Sequence, residues 1–201
     1  PEMGRAYSGI AVALANMGRR DEATGYYELA MSHIDQMTER EKGRTRGTYY
    51  LMTRNYLKAS EVYEELVADY PFDEGARVNL VLGYFYGRQM ERSLVAARDA
   101  VEAFPHSAMA QANLGLVAMY ASDFETANPH SEAVLEMHPA YETAFVCLGL
   151  SHLALGDADT ATASYERLAP VSDFGASLAA TGLADLAIYQ GRLSDAAGVL
   201  E

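Results

Sequence analysis

The side chains able to do chemistry in this 201-residue chain are scattered rather than gathered. Its five histidines, His33, His106, His130, His138 and His152, include no pair four residues apart with a glutamate between, the spacing that puts two imidazoles on one helix face to hold a hydrolytic zinc. The single cysteine, Cys147, excludes an internal disulfide and a thiolate-rich zinc site, and its setting in "FVCLGL" reads as a small buried hydrophobe rather than a nucleophile. Carboxylates are abundant, as in "EVYEELVADYPFDE". Paired catalytic acids need a desolvated cleft that drives their pKa values apart, whereas the periodicity turns these acids toward solvent. Neither a GxxxxGK[ST] phosphate loop nor a glycine-rich dinucleotide fingerprint occurs. No catalytic residue, metal ligand or cofactor is assigned, and the chain reads as a non-enzyme.

The elements that would carry any site repeat along the sequence. "RNYLKASEVYEELVADYP", "RQMERSLVAARDAVEAFP" and "SDFETANPHSEAVLEMHP" align so that Pro71, Pro105 and Pro139 fall 34 residues apart, and "GDADTATASYERLAP" follows the same pattern. Upstream of each lies a second apolar segment, "GTYYLMT", "NLVLGYFYG", "NLGLVAMYA" and "CLGLSHLALG". Each unit is therefore a helix, a tight turn and a second helix, and a 34-residue helical period means a stacked repeat array. Weaker copies flank these, "YSGIAVALANMGRRDEATGYYELA" in front and "TGLADLAIYQGRLSDAAGVLE" behind.

On these residues the chain resembles the tetratricopeptide repeat family over nearly its whole length. The first copy carries the family pattern of small residue, turn glycine, alanine, aromatic and alanine as Ala11, Gly18, Ala23, Tyr27 and Ala30. The fifth nearly repeats it through Gly149, Gly156, Ala161 and Tyr165, with Leu168 in place of the last alanine. Small residues let two helices approach closely, and the aromatic fills the hole between one pair and the next. Arg54, Arg88 and Ser122 replace the turn glycine in the middle copies, and Ser93 replaces the close-packing alanine, so those sites must tolerate a side chain. The resemblance implies an all-α fold, a right-handed α-solenoid of about a dozen antiparallel helices. Residues 1–201 form a single array with repeats near 4–38, 40–73, 74–107, 108–141, 142–176 and a partial 177–201.

Two irregularities stand out. The first two copies are offset by 36 residues, so "HIDQMTEREKGRTRG" must hold a longer helix end or a linker. The basic cluster within it, Arg40, Lys42, Arg44 and Arg46, reads as helix-linking rather than as a nucleic-acid patch. Pro129 falls inside an expected second helix, so that helix either bends or starts late, with Asn128 as its cap.

Half of the residues are hydrophobic, enough for a packed core, but no run of about 18 uncharged apolar residues occurs. "PEMGRAYSGI" lacks the basic and long apolar regions of a signal peptide. A start at Pro1 and a final "SDAAGVLE" that stops in mid-pattern suggest a piece of a longer protein, whose last repeat frays or is covered by another molecule. No membrane insertion is expected, and the compartment reads as cytoplasmic, with the periplasm left open. The net charge of −13 is uneven: residues 1–99 carry 13 basic and 15 acidic side chains, residues 100–201 carry 2 and 13. Such a field disfavours nucleic acid and anionic lipid; it reads as a solvated surface or, if concentrated on one face, suits a basic partner.

In such arrays the first helices line a concave groove that holds an extended peptide or a partner helix. The 34-residue period assigns to that groove Val78, Asn79, Leu82 and Tyr86, then Ala112, Asn113, Leu116, Met119 and Tyr120, then Val146 and Leu150. Phe85, Cys147, Leu153 and Ala154 complete the rows. The surface is mostly apolar, with two amides, Asn79 and Asn113, that can bond a ligand's backbone. Of the basic residues that clamp acidic chaperone tails in part of the family, only Arg5, Arg44 and Arg77 lie nearby, in a different arrangement. The partner expected is a protein or peptide of basic or apolar character. The function expected is a non-catalytic protein-protein interaction scaffold, with self-association, for example as a homodimer, as the alternative. One stretch, "MTEREKGRTRGTYYLMTRNYLKASEVYEELVADYPFD", is also similar to segments in the C-terminal tetratricopeptide regions of bacterial serine/threonine kinases and winged-helix transcriptional activators. That resemblance implies a docking arm of a larger bacterial regulatory protein.

Overall fold

A computed structural model describes residues 2–200; the expectations placed on Pro1 and Glu201 lie outside the described residues. The chain is an all-α helical repeat solenoid, and no strand occurs among the described residues. It falls into two compact units, Pro1–Ala103 and Phe104–Glu201. The first holds α1 (Glu2–Asn16), α2 (Arg20–Ser32), a 3-10 turn (Ile34–Gln36), α3 (Glu39–Met52), α4 (Tyr56–Asp69), α5 (Glu74–Tyr86) and α6 (Met90–Ala103). The second holds α7 (Ala108–Tyr120), α8 (Phe124–Met137), α9 (Glu142–Ala154), α10 (Ala158–Leu168), α11 (Asp173–Tyr189) and α12 (Leu193–Leu200). Odd-numbered helices are the first of each pair and even-numbered helices the second.

The sequence sets these boundaries through caps and stops. Asn55, Asp73, Ser107, Asp123, Asp157 and Ser172 each accept a backbone N–H of the first turn of the helix they precede, satisfying a donor that the helix itself leaves open. Pro71, Pro105 and Pro139 each follow the end of a second helix by two residues, where a ring that cannot continue a helix belongs. The turns between paired helices take left-handed backbone in every repeat: Gly18, Gly156 and Gly191 have φ of 75°, 81° and 76°, and Arg54, Arg88 and Ser122 sit at 60°, 59° and 61°. A Cβ is disfavoured there, so the three replacements are accommodated at a cost in local stability.

Two expectations are resolved by local chemistry. The irregular stretch is confined to the 3-10 turn and its flanks, and Arg40, Lys42, Arg44 and Arg46 all lie within α3 rather than in a linker. A reciprocal capping box starts that helix, Thr38 accepting from the Glu41 N–H and Glu41 accepting from the Thr38 N–H. The 3.0 Å bond from the Thr38 backbone to Glu41 and the 2.7 Å pair of Lys42 with Glu39 support a first turn with few apolar residues. Pro129 lies inside a continuous α8, which Asp123 caps, so the late start at Asn128 does not occur. The Asn128 Oδ1 is buried without a hydrogen-bond partner.

Close approach of helices is what the small residues provide. The Tyr63 ring of α4 lies on Gly47 of α3 so tightly that a Cβ there would come within 2.5 Å of the ring. In the second unit the Tyr165 ring of α10 fills the space between Gly149 of α9 and Gly182 of α11, and a Cβ on Gly149 would stand 2.6 Å from it. Around Tyr63 pack Leu66, Ala76, Leu80 and Tyr84; around Tyr165 pack Val134, Phe145, Leu148, Leu168 and Ala179. Cys147 is 2 % exposed, and burial pushes its thiol up to about 12, so it is a core residue.

Two substitutions test this packing in opposite directions. Gly182→Ala drives a methyl into the Tyr165 ring and lowers the urea stability by about 1–3 kcal/mol, whereas Arg88→Gly relieves a left-handed side chain and raises it by roughly 0.5–1 kcal/mol. A destabilised Arg88→Gly variant would show that the turn carries no such strain.

Candidate peptide-binding surface

In the first unit the three first helices α1, α3 and α5 enclose an open cavity of about 300 Å³. Ser8, Gly9 and Val12 line it from α1, Arg44, Thr45 and Thr48 from α3, and Gly75 and Asn79 from α5, with Tyr27 of α2 completing the lining. One side chain links this cavity to the core. Tyr63, itself fully buried, carries its hydroxyl to 2.8 Å from the Thr48 Oγ1 and accepts from the Asn79 Nδ2 at 3.1 Å. Thr48 in turn donates to the Arg44 carbonyl at 2.9 Å. Ser8 meets Thr45 at 3.1 Å, and Thr45 donates to the Met37 sulfur at 3.5 Å. The hydroxyls beneath the cavity are thus held by neighbours within the unit. Burial raises the Tyr63 phenol far above its ordinary value and Tyr27 to about 12, so both stay protonated donors.

At one edge of the cavity stands a buried charge. The Asp73 side chain has no exposure; its carboxylate caps α5 through the Ala76 N–H at 3.0 Å and accepts from Arg44 Nε and Nη2 and from Arg40 Nε, each at 2.8 Å. Burial alone would raise this carboxyl, but the hydrogen bonds from Arg44, Arg40 and Ala76 outweigh it and hold it at about 2. The two arginines remain about half exposed while their counter-ion is enclosed. Nearby, Arg5 pairs with Glu41 at 3.2 Å, and Arg77 donates to the Pro71 carbonyl at 2.7 Å.

A larger cavity of about 390 Å³ lies against α6, lined by residues including Leu80, Tyr84, Arg92 and Val95. Two of its polar groups are engaged, Tyr84 donating to Glu64 at 2.7 Å and Arg92 donating to Glu64 and to the Tyr84 oxygen at 2.9 and 2.8 Å, and Glu91 and Asp99 also line it.

The residues that the period assigned to a groove are divided between the units. In the first, Asn79 lines the cavity, Leu82 is half-buried, Tyr86 is exposed and stacks on Tyr56 with ring centroids 5.4 Å apart, and Val78 is buried. In the second, Ala112, Leu116, Met119 and Val146 are half-buried, Tyr120 and Leu150 are exposed, and Asn113 is buried and engaged. Of the two amides only Asn79 has a free carbonyl oxygen at an open surface. Sequence reading passed over Ser8, Gly9, Thr45, Thr48 and Gly75; the available signal was their position in the same register as the apolar rows. Among the described residues no three His, Cys, Asp or Glu side chains come together as metal ligands, and no helix is long and apolar enough to cross a membrane.

A family model for the tetratricopeptide repeat matches residues 113–176. Among solved structures, the chain is similar to TTC0263, a thermophilic tetratricopeptide repeat protein of Thermus thermophilus, with a TM-score of 0.77 at 22 % identity over 90 % of this chain and 98 % of that one. It is similar to PilW, a type IV pilus biogenesis factor, with a TM-score of 0.74 at 16 % identity over 99 % and 91 % of the two chains. YrrB, a tetratricopeptide repeat protein with an unusual peptide-binding site, gives 0.60 at 17 % identity over 83 % and 84 %. No curated protein matches the chain in sequence.

The Asp73 cluster gives this region a pH signature. The folded carboxyl titrates at about 2 against an ordinary 3.8, so its contribution to stability is complete above about pH 4 and is lost as pH falls toward 2. Urea unfolding midpoints measured across that window should fall, and the dependence should flatten in Asp73→Asn, which at neutral pH costs about 2–3 kcal/mol. A variant with the parent's acid profile would remove Asp73 from this role.

Proposed function

We propose that the chain is a non-catalytic scaffold whose first helices hold an extended peptide or a partner helix. The observation that carries this reading is the open cavity on α1, α3 and α5, floored by hydroxyls whose positions are fixed from the core. Pre-positioned polar groups beside apolar side chains suit a peptide, which presents both in alternation. The peptide-binding site of YrrB, a protein of similar fold, is consistent with it. In the second unit the half-buried Leu116 and Met119 of α7 and the exposed Leu150 of α9 provide an apolar surface of that unit's own, together with Ala112, Val146 and Tyr120. The acidic composition of that unit suits a ligand with basic flanks. The sequence likeness to the C-terminal regions of bacterial kinases and transcriptional activators supports a docking arm of a larger regulatory protein, working in the cytoplasm.

A second reading, self-association, is favoured by Ile188 and Tyr189 at the end of α11 and Leu193 at the start of α12, all more than half exposed. Sedimentation velocity over a concentration series separates the two readings: a single monomeric species at all concentrations removes self-association.

Leu150→Glu tests the scaffold reading. At an exposed position the substitution costs about 1 kcal/mol or less in folding, yet places a charge where a partner's apolar side chain must desolvate. Capture of partners from a lysate of the source organism should be lost while the urea midpoint holds. An unchanged partner set on the variant would take this face out of the binding surface, and a chain that captures nothing would take the scaffold function with it.

A further inference from the structure

We infer that the cavity on α1, α3 and α5 binds its peptide through an acidic side chain of that peptide, with Arg44 as the counter-charge. This rests on the peptide-binding reading above and adds the chemistry of the ligand.

Charge is the first support. Of the nine residues lining the cavity, Arg44 alone is charged, and none is a carboxylate. Its partner Asp73 is enclosed and shared with Arg40, and Glu41, which also acts on Arg44, is paired with Arg5, so these three arginines and two carboxylates carry a net positive charge. Asp73 occupies the Nε and Nη2 donors of Arg44 and leaves Nη1 unclaimed. What remains is the Nη1/Nη2 end of the guanidinium, turned away from Asp73 and held in place by that ion pair. A basic ligand side chain entering here would meet a like charge with no carboxylate in the lining to offset it.

Depth is the second. Gly9 and Gly75 line the same cavity from α1 and α5. Both lie within helices, where glycine is a poor choice, and neither has a positive φ. A Cβ on Gly9 would meet nothing within 4 Å, and one on Gly75 would touch only the Asp73 Oδ1 at an ordinary 3.5 Å. Packing within the chain therefore requires neither glycine. Their effect is to let a ligand's main chain lie directly against the two helices, between the Val12 wall and Arg44.

Hydrogen-bond direction is the third. Thr45 and Thr48 direct donors to the Met37 sulfur and the Arg44 carbonyl, and the Asn79 Nδ2 donates to Tyr63. The Asn79 carbonyl oxygen is left as an acceptor and the Arg44 Nη1 as a donor. An extended segment with a main-chain N–H for Asn79 and a carboxylate for Arg44 answers both. A terminal carboxylate could engage the same donors, and a peptide with an amidated C-terminus separates it from a side-chain carboxylate.

The test uses the 201-residue chain and a random peptide library displayed on phage. The recovered consensus is remade with an amidated C-terminus and its binding followed by fluorescence anisotropy. The expected consensus contains Asp or Glu; replacing that residue by Asn or Gln weakens binding about tenfold or more, and added salt weakens it too. Gly9→Leu, whose Cβ meets no atom within 4 Å, should reduce affinity by about tenfold or more at an unchanged or raised thermal midpoint. Arg44→Gln should do the same, and where it also lowers the midpoint, Gly9→Leu still decides. A consensus without Asp or Glu, affinity untouched by Gly9→Leu, or a strict need for a free C-terminal carboxylate overturns the inference. Those three outcomes leave peptide binding itself standing, whereas recovery of no consensus removes both.

Discussion

How near two helices can come before their side chains collide governs both units. The Tyr63 ring occupies the volume that a side chain at position 47 would need, and the Tyr165 ring does the same for positions 149 and 182. An aromatic pressed onto bare backbone brings the helices together and fills the gap at once, so burial of apolar area and close packing are obtained from the same pair of residues. In the first unit the consequence reaches the surface. The hydroxyl of Tyr63 bonds to Thr48 and Asn79, so two of the polar groups lining the cavity are held by the far end of a core side chain. Anything that loosens the core at Gly47 must therefore also displace the polar groups that a ligand would meet.

Much of the architecture was legible because it depends on spacing. The 34-residue recurrence of Pro71, Pro105 and Pro139 located the ends of α4, α6 and α8, and the replacement of turn glycines by Arg54, Arg88 and Ser122 marked three left-handed residues. What escaped depends on contacts that no period encodes. The first turns of α3 lack an apolar stripe and are held by charge pairs and a capping box, so apolar periodicity missed them, although Thr38 and Glu41 have the capping-box spacing. The direction taken at Pro129 was undecidable by sequence alone; Asp123 at the cap position settles it in favour of one continuous helix. The groove was legible as a set of registers, and Asn79 is common to that set and to the cavity. Its polar character was not, because it arises from Ser8, Thr45 and Thr48, residues that look like ordinary helix surface until α1, α3 and α5 are placed side by side.

Asp73 shows how one residue can hold three demands together. It ends the loop after Pro71, caps α5, and neutralises part of the positive charge of α3. A carboxylate enclosed in this way is tolerable only because its oxygens are all engaged, and the energy of that engagement fixes Arg44 in a single pose. The rigidity of a cation at the edge of the cavity is thus inherited from helix capping, a matter of local chain chemistry.

Cys147 has a use that its inertness conceals. It is the chain's sole thiol, enclosed within α9 and protonated at neutral pH. A disulfide reagent can reach it only when the surrounding helices part, so its modification rate under native conditions reads the free energy of that opening directly, with no engineered label. Ligand seated on the exposed face of α9 would slow the reaction by as much as it disfavours the open form. The second unit thereby contains its own spectroscopic clock, one that reports occupancy of a surface the thiol never touches.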